Sequence, residues 1–88
     1  MSIHGADIQQ LRDLAKKFDS EAGQLSGLIG RLQSATSSSD GYWKGPASDR
    51  FRSEWADLKP TFDKFVDTLN QASKAATTNA DNIEAATR

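Results

Sequence analysis

An all-α fold is predicted, an antiparallel two-helix hairpin that pairs into a four-helix bundle, and three observations predict it. Two long segments carry apolar residues at alternating steps of three and four. One short break, rich in turn-forming residues, separates them. The chain has 88 residues, no cysteine and a single histidine, His4, so neither a disulfide framework nor an ordinary zinc site supplements a small core. Packing against another chain is the remaining source of stability.

In the first segment the apolar positions are Ile8, Leu11, Ala15, Phe18, Ala22, Leu25, Ile29 and Leu32, the a/d seam of a coiled coil held for four heptads. Gln9, Gln10, Arg12, Asp13, Lys16 and Lys17 occupy the other faces. Asp7 with Gln10 makes a capping-box start. The spacing predicts a helix over about 6–38.

The break, about 39–46, reads Ser39-Asp40-Gly41-Tyr42-Trp43-Lys44-Gly45-Pro46. Serine, aspartate and glycine favour turns. Pro46 suits the first position of a new helix, where its missing N–H costs nothing. Gly45, ahead of a proline, is expected to be extended and to serve as the N-cap.

The second segment carries Phe51, Trp55, Leu58, Phe62, Phe65, Leu69, Ala72, Ala76 and Ile83, again heptad-spaced, over about 47–86. Pro60 removes the hydrogen bond to the Ala56 carbonyl. Because the seam continues in register, it is expected to bend the helix without ending it. From Gln71 onward Ala, Thr, Asn and Ser dominate, so fraying of the last turns is expected. The short break makes the helices antiparallel within one domain, residues 1–88.

Composition excludes several classes of function. Eleven basic and 12 acidic side chains leave a net charge of −1 without blocks of like charge, unlike the basic stripe that nucleic acids require. No run approaches the ~20 apolar residues of a membrane span. Met1 to Asp7 lacks the basic and apolar regions of a secretory signal peptide. The carboxylates, Asp13, Glu21, Asp57 and Asp63 among them, fall mostly outside the seams, and neither a nucleophile–base pair nor a phosphate-binding loop is visible. The chain reads as a non-enzyme without cofactor or metal.

The apolar faces exceed what two helices can hide in each other. Leu14 and Leu28 precede the seam residues Ala15 and Ile29, and Val66 follows Phe65. Each such side chain left in water forgoes about 1.5–3 kcal/mol of burial. Hairpin and dimer contacts are therefore assigned to Leu11, Leu14, Phe18, Leu25, Leu28, Ile29, Leu32, Phe51, Trp55, Leu58, Phe62, Phe65 and Leu69. Gly23, Gly27 and Gly30, mid-helix, admit two readings: close approach of a crossing helix, or glycine tolerated at the surface.

Trp43 in the turn is read either as an anchor folded over the hairpin end or as a displayed contact. The pattern as a whole, two heptad helices of this length flanking Trp43-Lys44-Gly45 near the midpoint, resembles the WxG family of small type VII secretion substrates, the early-secreted-antigen-like proteins of Gram-positive bacteria. The resemblance implies hairpins that pair as homodimers or heterodimers with a related protein. It also implies export from the cytoplasm by a membrane-embedded ATPase without a cleaved leader, and virulence-associated roles outside the cell. It implies that Trp43 and Gly45, with Tyr42 beside them, belong to an export and partner-recognition turn. The chain lacks the Tyr-x-x-x-Asp/Glu signal found after the second helix in the mycobacterial branch, since Tyr42 is its one tyrosine. A partner subunit, a different determinant or a shortened C-terminus would account for that.

Two alternatives stay open: a non-secreted helical adaptor or chaperone-like partner of a larger secreted toxin, and a membrane-active helical effector. The second is disfavoured by the balanced charge of both helices, because interfacial helices carry Lys/Arg-rich polar faces. The initial methionine and the absence of a terminal linker argue against the leading domain of a larger toxin.

Overall fold

Alanine, leucine and long polar side chains fill both periodic segments, and each folds as one continuous helix. The computed structural model describes residues 4–87, with side chains described from Asp7 onward. Helix α1 spans His4–Ser38, a 3-10 turn covers Ser39–Gly41, and helix α2 spans Pro46–Ala86. At 1.5 Å per residue, helices of 35 and 41 residues are about 52 and 62 Å long. They lie side by side in a rod of 65 × 16 × 16 Å.

Some boundaries differ from expectation. Asp7 does not cap α1. The helix begins at His4, and Asp7 lies in its first turn, where its charge complements the helix dipole. The His4 side chain itself lies outside the described ones. Pro46 is the first residue of α2 and Gly45 its N-cap, as the spacing predicts. Helix α2 runs through Pro60 without ending. It ends at Ala86, as the spacing predicts; near that end Ala76 and Ala80 are buried and Arg12 of α1 reaches across to Asp81 and Glu84, at 2.9 and 3.3 Å.

The core is one row from each helix, joined by Ala80 near the open end. On α1 the buried residues Ala15, Ala22, Ile29 and Thr36 recur every seven positions. On α2 the matching row is Ser48, Trp55, Phe62, Leu69 and Ala76, buried or half-buried throughout. Small residues at the open end let the backbones approach, and Ser73 Oγ donates to the Ala15 carbonyl at 2.8 Å. Nearer the turn, Trp55 is buried between the helices. Its ring lies 6.0 Å from that of Phe62, and its Nε1–H donates to Gln33 Oε1 at 2.7 Å.

The other seam row is not internal. Leu11, Phe18 and Leu25 are half-buried, whereas Leu32 of α1 and Phe51, Leu58 and Phe65 of α2 are exposed, as are Leu14 and Leu28 alongside the row. On both helices this second row is offset by three residues from the internal one: Phe18 follows Ala15, and Phe65 follows Phe62. Antiparallel helices are related by a two-fold axis perpendicular to the plane of the pair, so equal offsets turn both rows to the same side of the rod. Val66, expected to widen this face, does not. It is half-buried and offset by four from Phe62, toward the opposite side.

Candidate functional site

The turn and the apolar face meet at the hairpin tip. Residue by residue, the turn is built by polar groups capping the two helix ends. Ser39 Oγ donates to the Thr36 carbonyl at 2.7 Å, and the Ser39 carbonyl accepts from the N–H groups of Tyr42 and Trp43 at 3.1 and 2.8 Å. The last carbonyls of α1, which a helix end leaves unpaired, are thereby partly satisfied. On the other side the Gly45 carbonyl accepts from Ser48 Oγ at 2.9 Å and from the Asp49 N–H at 3.0 Å.

Gly45 has φ +114° and ψ 178°. The extended ψ fits a residue before proline. The φ does not fit ordinary extended backbone; it falls where residues with a side chain are essentially absent. A Cβ built at Gly45 would meet nothing within 4 Å. Glycine is therefore required here by the backbone alone. Gly45→Ala should destabilise the hairpin by about 1–3 kcal/mol, read as a lower midpoint in chemical denaturation. An unchanged midpoint would mean that the turn relaxes to another conformation.

Trp43 is 39% exposed. Its ring packs at 5.8 Å against Phe51, tilted by 38°, and the Arg52 guanidinium stands 6.0 Å from its centroid. The indole is thus both supported and displayed, between the two sequence-based readings. Tyr42 projects into solvent, 79% exposed.

Arg52 holds the turn together. Its Nη2 donates to the Trp43 carbonyl at 2.7 Å and to Ser39 Oγ at 3.2 Å, while Nη1 lies 3.9 Å from Asp40 and 3.8 Å from Asp49. Both carboxylates are well exposed, so the neutral hydrogen-bond acceptors matter more than the ion pairs. Neither Arg52 nor Ser39 was singled out from the sequence. The available signal was an arginine three residues before Trp55, hence on the inner edge of α2, with a serine-rich helix end opposite.

Of the interface residues inferred from periodicity, Ile29 and Trp55 are buried within the hairpin, and Phe62 and Leu69 are half-buried there. The exposed set forms a face running from Leu14 and Phe65 to Phe51 beside Trp43. A shallow groove on the other side of the rod is lined by Gln33, Arg52, Trp55, Ala56, Lys59 and Pro60, among others. Among the described residues no cluster of His, Asp and Glu is placed to hold a metal ion. No described helix is long and apolar enough to cross a membrane.

Comparison with known proteins fits this geometry. The family described as "WXG100: Proteins of 100 residues with WXG" matches residues 5–87. Protein YukE of Bacillus subtilis (strain 168) is similar, 28% identical over 76 residues that cover 86% of this chain and 78% of that protein. The crystal structure of Geobacillus thermodenitrificans EsxA superposes with a TM-score of 0.85 at 26% identity, covering 90% of this chain and 88% of that one. With the hairpin, its central Trp43-Lys44-Gly45 turn and a match across nearly its whole length, the chain belongs to the WXG100 family of small type VII secretion substrates.

Proposed function

We propose that this protein is exported as a folded dimer, two hairpins joined through the apolar face, with the Trp43 turn displayed to the secretion ATPase, and that it acts by protein contact without catalysis. The observation that carries the proposal is the one-sided face of Leu14, Leu28, Leu32, Phe51, Leu58 and Phe65, all at least 40% exposed. Large apolar side chains exposed together on one side of a small protein mark an interface. A second hairpin supplies a surface of matching length and periodicity, either as another copy or as a related chain. Export without a cleaved leader and release to the medium belong to the same reading.

Trp43→Ala tests the role of the turn. Removal of the indole forfeits one aromatic pair and one cation–π contact, together about 1–2 kcal/mol. The melting midpoint should fall by roughly 4–16 °C, leaving helix content and pairing intact. The secreted fraction, measured by blotting medium and cells separately, should drop sharply while protein accumulates in the cells. Normal export of a stable Trp43→Ala protein would remove the indole from the signal. Wild-type protein confined to the cytosol would favour an adaptor role.

A further inference from the structure

Both helices carry their weakest residues at one height. Trp55 lies opposite Gln33 and Ser73 opposite Ala15, eighteen residues further along in each helix. Stepping five residues from the first pair places Pro60 opposite Leu28, between Gly27 and Gly30. Gly23 lies about one turn further along. Packing does not require these glycines. A Cβ would meet nothing within 4 Å at Gly23 or Gly30, and at Gly27 only the mobile end of Arg31, at 3.3 Å. The close-approach reading of the three glycines therefore has no counterpart within the hairpin. Alanine would fit at each, and each glycine instead favours local opening of α1 by about four- to five-fold. Across from them Pro60 removes a helical hydrogen bond and leaves the Ala56 carbonyl without its intrahelical donor, at the edge of the shallow groove.

We propose that residues 23–30 and 56–60 form a shared hinge. Here the two helices bend or open together, so that the Trp43 tip reorients relative to the open end while the hairpin stays closed. Neither the Trp55–Gln33 contact on the tip side nor the Ser73–Ala15 contact on the far side has to break. The function proposed above does not depend on the hinge.

Amide hydrogen exchange on the full-length protein tests this. An ordinary helical hairpin is most protected mid-helix and least protected at its ends. Here protection should dip across 24–31 and again across 56–63. In Gly23→Ala/Gly27→Ala/Gly30→Ala the α1 dip should fill by roughly fifty- to a hundredfold. The α2 dip should become shallower in parallel, although α2 is unaltered. Pro60→Ala should have the reciprocal effect on α1. A smooth mid-helix maximum in the wild type would overturn the proposal. So would slowing confined to the substituted helix, or loss of dimer mass in the triple variant, which would mean that a partner helix packs on the glycines.

Discussion

Trp55→Ala should lower the melting midpoint by at least about 12 °C and broaden the transition. Trp55 is among the few large side chains buried between the helices, packed on Phe62 and hydrogen-bonded to Gln33. Aromatic-to-alanine changes in cores cost about 3–5 kcal/mol, and each kcal/mol shifts a domain of this size by about 4–8 °C. The substitution also leaves Gln33 Oε1 without its donor. Against a total stability of about 5–15 kcal/mol, the loss is large. Trp55→Phe separates the two contributions: it keeps most of the apolar surface and should forfeit about 1 kcal/mol for the hydrogen bond. The measurement is thermal circular dichroism at fixed protein concentration. A midpoint within a few degrees of wild type for Trp55→Ala would mean that the internal row is assigned to the wrong residues. The contrast with Trp43→Ala is the informative part. Trp55 is expected to matter for folding alone, Trp43 for export as well as for part of the stability.

The two helices were legible in the sequence because a 3-4 apolar period sustained for several heptads has no alternative fold in so short a chain. Pro46 at the start of α2 was legible for a similar reason, since its constraint is local and acts the same way in any context. What periodicity could not say was which of the two seam rows faces inward. A two-helix hairpin hides about one row per helix, and the a and d rows are equivalent as patterns. Ala15, Ala22 and Ala76 went inside because their small size lets the backbones approach, while the larger Leu32, Leu58 and Phe65 stayed outside, contrary to a simple ranking by hydrophobicity. The same closeness packs the Ala-rich end of α2 against α1. The positive φ of Gly45 was hidden as well, because a glycine before a proline is equally compatible with an extended turn. Arg52 was hidden for another reason. Its partners are backbone and hydroxyl oxygens on the far side of a turn, and such acceptors carry no sequence signature.

Phe65→Asp, alone or with Leu58→Asp, should abolish pairing and leave the internal row of the hairpin unaltered. Both side chains are about half exposed in the single chain, at 53% and 49%, so an aspartate at either position faces water in a lone hairpin and costs little there. Inside an apolar interface the same aspartate is an unpaired, desolvated charge, worth several kcal/mol against association. In a symmetric homodimer one substitution appears twice, so the double variant places four carboxylates in the interface. Weakening by two to four powers of ten in Kd is expected, enough to turn a micromolar dimer into a monomer at ordinary working concentrations. Sedimentation equilibrium should then give the 9.6 kDa of one chain instead of twice that mass. Helix content should fall only in part, because Ile29, Trp55 and Ala76 remain enclosed. Ser53→Asp is the control, an exposed polar position of α2 that belongs to neither apolar row, and it should leave the mass unchanged. Should the wild type itself be monomeric, the same comparison applies to a related hairpin chain: titration with that chain should restore a complex with the wild type and fail with Phe65→Asp. A Phe65→Asp/Leu58→Asp protein that still sediments at twice the chain mass would show that the dimer forms through another face, and would withdraw the exposed row from the interface.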